Sequence, residues 1–195
     1  MKQMKISRVL FVGMLITILF SSCAVFNGSI TKQVDQIMGS KRFTFEAYHS
    51  NNQRDEQEYR QKLTFLKEIN RSQNVEYTLY DVIYLPYSSF DISDKMYLVV
   101  DEEVFPLEND SKEKVLDRVA TEEKQSANSE TQPVADGYST SKSWKMVHPL
   151  SEEMILKIVD AQIMYLRYYA GPNMITSEIT GTELTSVKRW IKSNN

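Results

Sequence analysis

Residues 75–85 (VEYTLYDVIYL) constrain the fold more than any other stretch of the chain. Valine, isoleucine and threonine lose side-chain freedom in a helix but pack well on a pleated surface, and tyrosine shares that preference. Pro86 ends the run, so the segment reads as a largely buried strand. It carries one carboxylate, Asp81, on the same strand face as Leu79 and Ile83. A lone buried carboxylate is costly and has a raised pKa, as catalytic acids do. Three readings follow: a catalytic acid, a strand edge, or a carboxylate paired with a cation such as Arg167. The structural readings are favoured.

A buried strand needs neighbours. Residues 42–49 (RFTFEAYH) alternate Phe43, Phe45 and Ala47 against Thr44, Glu46 and Tyr48, the period of a strand with one buried face. Residues 96–100 and 104–107 flank Asp101, Glu102 and Glu103, predicting a hairpin with a short acidic turn. Residues 59–69 fit two patterns. Tyr59, Leu63, Leu66 and Ile69 suit a helix, whereas Leu63, Phe65, Lys67 and Ile69 suit a strand; the balance tips slightly to helix.

Other segments read as helical. Residues 30–38 form a short helix closed by Gly39, and 111–119 one or two helical turns. Ser151 is a good N-cap, with Glu152 and Glu153 at the positive end of the helix dipole and Leu150 and Ile155 placed for a hydrophobic staple. That helix either runs on to residue 170 or stops early. In the second and preferred case, 163–169 (IMYLRYY) and 174–180 (MITSEIT) form a hairpin about Gly171, Pro172 and Asn173. Residues 182–192 make a closing helix with Leu184, Val187, Trp190 and Ile191 on one face. Residues 51–58 are polar, a turn or a helix start. Residues 120–143 are almost wholly polar and read as a long mobile loop, because they cannot bury enough surface to offset their ordering entropy. The expected fold class is therefore α+β. A single domain over 30–195 would hold an antiparallel sheet with helices packed on one side.

Composition narrows the function. One cysteine among 195 residues excludes an intramolecular disulfide and a cysteine-based zinc site. Two histidines leave little room for a histidine-rich metal centre. With a net charge of −3, the basic excess of a nucleic-acid binder is missing. Six scattered glycines build no phosphate-cradling loop, and no nucleophile elbow, zinc-protease motif or EF-hand loop is present. No cofactor is expected.

The N-terminus carries a targeting pattern. Lys2, Lys5 and Arg8 precede a twelve-residue, nearly unbroken apolar run at 9–20, followed by Ser21, Ser22 and Cys23. The run is too short to span a bilayer comfortably, which takes about 20 apolar residues. Together these residues resemble the lipobox signal of bacterial lipoproteins, over residues 1–23 alone; Phe20 stands where leucine is usual. The resemblance implies removal of 1–22, lipidation of Cys23, a tether over 23–29 and residence in the bacterial cell envelope. Ala24, where aspartate often retains such proteins at the inner membrane, implies the outer membrane. Removing 1–22 takes away three basic and no acidic side chains, leaving a net charge of −6. Such a body is held to a membrane by its lipid rather than by attraction to anionic headgroups.

The remaining candidates are few. Tyr77, Tyr80, Tyr84 and Tyr87, or Tyr165, Tyr168 and Tyr169, could form an aromatic platform for a protein or glycan, since tyrosine gives contact area at low entropic cost. Core or sheet-face filling is the commoner role of such rings. His49 and His148 show no spacing that links them, and Asp101, Glu102 and Glu103 read as a solvated turn before they read as a calcium site. The expected function is that of a non-catalytic, lipid-anchored envelope protein that binds a macromolecular partner or supports an envelope assembly. Two alternatives are an envelope hydrolase acting on wall or glycan, with Asp81 as its best residue, and a carrier of a small apolar ligand.

Overall fold

A computed structural model describes residues 28–51, 58–120 and 138–194. The expected signal segment, Cys23 and most of the expected tether lie outside the described residues, as do 52–57 and 121–137 of the two expected polar loops.

Ten strands and two helices make up the described residues: β1 (Thr31–Asp35), β2 (Ser40–Asn51), β3 (Tyr59–Ile69), β4 (Val75–Pro86), β5 (Tyr97–Val100), β6 (Glu103–Pro106), β7 (Ser111–Ala120), β8 (Tyr138–Pro149), α1 (Glu152–Asp160), β9 (Met164–Ala170), β10 (Asn173–Ile179) and α2 (Gly181–Lys192). Strands hold 57% of these residues and helices 15%, so the expected α+β class is corrected towards an all-β fold. The strands form two antiparallel sheets, a six-stranded one in the order β1-β2-β3-β4-β8-β7 and a four-stranded one in the order β10-β9-β5-β6.

Three segments expected as helical are strands, for one reason. Each lies beside a strand whose backbone groups need a partner. Residues 59–69 pair along their whole length with β2 on one side and β4 on the other. Their odd-numbered side chains, Leu63, Phe65 and Ile69 among them, then enter the core. A helix would have left Phe65 off the apolar face. Residues 31–35 and 111–120 likewise pair with β2 and β8. The expected polar loop is also shorter at both ends, since Ala120 and residues 138–143 belong to the β7–β8 ladder.

One face of the six-stranded sheet is covered, its middle and one end by the four-stranded sheet and the rest by α2. Phe43, Phe45, Leu63, Phe65, Leu79, Ile83 and Met146 from the larger sheet meet Leu98, Leu166, Tyr168 and Ile175 from the smaller one and Leu184, Val187 and Trp190 from α2 in one core. Trp190 is fully buried, lies 5.5 Å from the Phe65 ring and 5.7 Å from the Tyr77 ring, and donates its indole N–H to the Phe43 carbonyl at 2.8 Å. Helix α1 starts as its sequence requires, with the Ser151 hydroxyl accepting the Met154 N–H at 3.2 Å, and it stops at Asp160 so that 164–179 form the hairpin. Gly171 sits at the turn with φ +60°, a backbone state that glycine adopts without steric cost.

Helix α2 is gripped at its C-terminal end by a buried cation. The Lys67 ammonium on β3 donates to the Ile191 and Ser193 carbonyls at 2.6 and 2.9 Å and to the Asn194 side-chain oxygen at 3.2 Å. It also lies over the Phe43 and Tyr77 rings. Carbonyls at a helix C-terminus lack intrahelical partners and carry the negative end of the dipole, so a cation there answers both. Replacing the ammonium by a thioether should leave those carbonyls short of a donor. Lys67→Met is expected to lower the unfolding free energy by about 2 kcal/mol in denaturant titrations. A loss under about 0.5 kcal/mol, the range of ordinary surface changes, would show that α2 does not depend on this contact.

Candidate functional site

The functional candidates gather where β2, β3 and β4 end beside the β2–β3 connection. Asp81 sits inside, fully buried on β4. Its side chain points at the smaller sheet, as the alternation of the strand requires. Tyr168 on β9 donates its hydroxyl to Asp81 Oδ2 at 2.5 Å, and Gln61 on β3 donates its amide to Oδ1 at 2.9 Å. The same Gln61 nitrogen donates to the Tyr168 oxygen at 2.8 Å, and its Oε1 accepts the Ser177 hydroxyl from β10. The Tyr59 hydroxyl closes the cluster by donating to the Thr176 carbonyl at 2.9 Å. Arg167, the cation expected to pair with Asp81, is not its partner. It is adjacent to Tyr168 on a strand and so points to the opposite face of the smaller sheet.

Burial lifts the Asp81 carboxyl from 3.8 to about 6, against the hydrogen bonds from Tyr168 and Gln61 and the nearby His49, which favour its charged form. Burial and the Asp81 charge hold the Tyr168 phenol well above its ordinary value. The proton between these two oxygens therefore stays on the phenol while Asp81 is ionised.

A surface cleft of about 370 Å³ opens beside this cluster, lined by Tyr48, His49, Ser50, Arg60, Gln61, Lys62 and Tyr84. Gln61 thus joins the cleft to Asp81. His49 Nε2 lies 3.0 Å from a Glu183 carboxylate oxygen in the first turn of α2. On the outer side, the Arg60 guanidinium stacks 5.9 Å from the Tyr84 ring, and Lys62 lies 5.6 Å from the Tyr48 ring while pairing with Glu46 at 2.7 Å. Glu46 is held below the usual carboxylate range by that pairing.

The predicted tyrosines divide between two sides of the sheet. Tyr80 and Tyr84 occupy even, outward positions on β4, and Tyr87 lies exposed beyond its end. Tyr77 faces inward, edge-on to Trp190. Among the second group, Tyr165 and Tyr169 face outward from β9, whereas Tyr168 is in the core. The histidines do not converge. His148 is buried on β8 opposite Leu79, where its Nδ1–H donates to the Glu108 carbonyl at 2.9 Å and burial lowers its pKa. In the acidic turn, Asp101 Oδ1 accepts the Gln162 and Ile163 N–H groups at 2.9 and 3.0 Å, and Glu103 pairs with Lys157 at 2.5 Å. No group of three or more histidine, cysteine or acidic side chains among the described residues is placed to hold a metal ion.

No family model matches the chain, and neither a curated protein nor a solved structure resembles it. Its chemistry must be read from these side chains alone.

Sequence reasoning singled out Asp81 but not Gln61, Tyr59 or Ser177. Gln61 had a signal, an inward polar residue on the strand beside Asp81, but it was legible only once 59–69 was read as a strand. Tyr48, Arg60 and Lys62 gave none, since exposed cations and tyrosines on a sheet face are common.

The raised pKa of Asp81 is a statement about stability. Its folded value exceeds its unfolded value, so the carboxyl is neutral in both states only well below pH 3.8. The native state is progressively penalised as pH rises towards and through 6, by about 3 kcal/mol in all. The unfolding free energy of Asp81→Asn minus that of the parent should therefore increase by that amount between about pH 2.5 and 7.5. A difference independent of pH would mean that Asp81 titrates like an exposed carboxyl.

Proposed function

We propose that the chain is a non-catalytic, lipid-anchored protein of the bacterial cell envelope, tethered through Cys23 at the outer membrane, which binds a macromolecular partner. The observation that carries the binding role is the bare face of the six-stranded sheet. No described element covers it, and it presents Tyr48 at 67% exposure beside Lys62, Tyr80 at 41%, and Tyr84 opposite Arg60. Exposed aromatics interleaved with cations are the composition of recognition surfaces. A partner, protein or glycan, would lie across the strands and reach the cleft at their end.

The alternatives draw less support. A hydrolase needs a carboxyl that touches substrate, whereas both Asp81 oxygens are committed to Tyr168 and Gln61 inside the core. A carrier of an apolar ligand needs an enclosed apolar cavity, whereas the cleft beside Gln61 is open and walled by polar and charged side chains. No helix among the described residues is long and apolar enough to cross a membrane, so the anchoring proposal rests on Cys23 and its signal segment.

Two measurements test this reading separately. The Cys23→Ala protein made in its own bacterium should lose acyl-chain labelling and remain unprocessed; retained labelling would sink the anchor. The full lipoprotein, cross-linked in intact envelopes, should capture a stoichiometric partner. Replacing Tyr48, Tyr80 and Tyr84 together by serine should reduce that capture at least tenfold with the melting curve preserved. Capture that survives the triple change would remove this face from the binding role.

A further inference from the structure

The outer face of the four-stranded sheet carries a second cleft, of about 360 Å³, lined by Ser93, Lys95, Tyr97, Val99, Val104, Arg167 and Tyr169. Among the described residues its two charges are both positive and no acidic residue lines it. That is unusual in a chain whose acidic side chains outnumber its basic ones, 26 to 23.

The imbalance is built into the loop between β4 and β5. That loop contains two aspartates, and both turn away from the cleft. Asp91 pairs with Lys114 and Lys142, each at 2.9 Å, and Asp94 with Lys112 at 2.6 Å, so the acids are spent on the β7–β8 hairpin. These bonds hold both carboxyls below the usual carboxylate range. The loop is also tied to β9, because the Ser93 N–H donates to the Tyr169 carbonyl at 2.7 Å and Ile92 bridges to Ala170. Lys95 is thereby held at the cleft with its ammonium unpaired among the described residues. The Ser93 hydroxyl accepts the Lys95 N–H at 3.2 Å, which leaves its own proton free to donate.

Arg167 is unpaired in the same way. Its guanidinium stacks 5.1 Å from the Tyr165 ring, and its Nε is buried with no hydrogen-bond partner among the described residues. Glu178, the acid on this face of β10, lies opposite Tyr165 in register and does not line the cleft. A half-buried guanidinium whose Nε lacks an acceptor is ready to bind one. Tyr97 and Tyr169 stand edge to face, 6.3 Å apart, and offer ring surface beside the cations.

We propose that this cleft binds a sugar ring bearing an oxyanion, with the carboxylate or phosphate on Arg167 and Lys95, a hydroxyl or anion oxygen on Ser93, and the ring against Tyr97 and Tyr169. Arginine offers the planar fork that carboxylate and phosphate share, and tyrosine supplies a flat apolar face with a polar rim. The site lies on the smaller sheet and is independent of the partner surface proposed above.

The test uses the full chain in a polyoxyethylene detergent, titrated at constant ionic strength with glucuronate, glucose 6-phosphate, glucose or inorganic phosphate. Binding is read by calorimetry and by the shift in melting temperature. Glucuronate or glucose 6-phosphate should bind at least tenfold more tightly than glucose and inorganic phosphate, and the stronger of the two identifies the oxyanion. Lys95→Ala, at an exposed position, should weaken the stronger ligand at least fivefold, and Arg167→Gln at least tenfold. Lys41→Ala, on the other sheet, should leave it unchanged. Equal binding of all four probes, no binding of either acidic sugar, or binding indifferent to Lys95→Ala would each overturn the assignment. Because Lys95 makes no side-chain bond that the fold needs, its variant keeps the test decisive even if Arg167→Gln unfolds.

Discussion

The contact between Tyr168 and Asp81 fixes how the two sheets lie on each other. Apolar side chains tolerate sliding, since one leucine is about as good a neighbour as another. A buried carboxylate does not. Asp81 has both oxygens bonded only when β9 brings Tyr168 above β4 and β3 holds Gln61 beside it. Shifting the smaller sheet along the larger one by a residue pair would place Leu166 or Ala170 there instead. One carboxyl oxygen would keep Gln61, but the other would lose its donor in a dry core, which costs a few kcal/mol. The rest of the structure follows from that alignment. The inward row of β3 serves two covering elements in turn, with Tyr59 and Gln61 meeting the smaller sheet and Phe65 and Lys67 meeting α2. Once the sheets are registered, the helix has one remaining place to lie.

Much of this was legible where the pattern belongs to one segment alone. The alternation of 42–49, the strand ending at Pro86, the two hairpins at 96–107 and 163–180 and the helices after Ser151 and Gly181 all carry their signals locally. The errors have the opposite character. Residues 31–35 expose nearly every side chain, and their strand exists because β2 offers an unpaired edge. Residues 138–143 are polar, yet they extend a ladder nucleated by Trp144 and Met146 and continued by β7. Pairing between distant strands overrides composition here, and a single sequence does not display it.

The site was half legible for a related reason. A carboxylate inside an apolar run announces itself, and Asp81 does stand in the core. Its partner could not be read, because that depends on which face of β9 turns inward. Arg167 and Tyr168 are neighbours in the chain and point in opposite directions, so a step of one residue exchanges a salt bridge for a phenol. That step has consequences on both faces. Inward, the carboxyl meets a donor that cannot supply a full positive charge, so burial prevails and the pKa rises rather than falls. Outward, an arginine is left over.

Leftover charge is more informative than total charge in a protein of this kind. Carboxylates at exposed turns and loops are largely occupied: Asp91 and Asp94 by lysines of the β7–β8 hairpin, Asp101 by backbone N–H groups, Glu103 by Lys157. Pairing of this sort subtracts from the field that an approaching ligand meets, whereas the unpaired Lys95 and Arg167 do not cancel. A chain of net charge −3 repels anions at long range, but beyond about 10 Å that repulsion is screened at ordinary ionic strength. Inside the cleft the local cations decide. An anion that reaches it meets a half-buried guanidinium whose Nε is already out of contact with water, and so part of the desolvation cost of binding has been met by the fold itself.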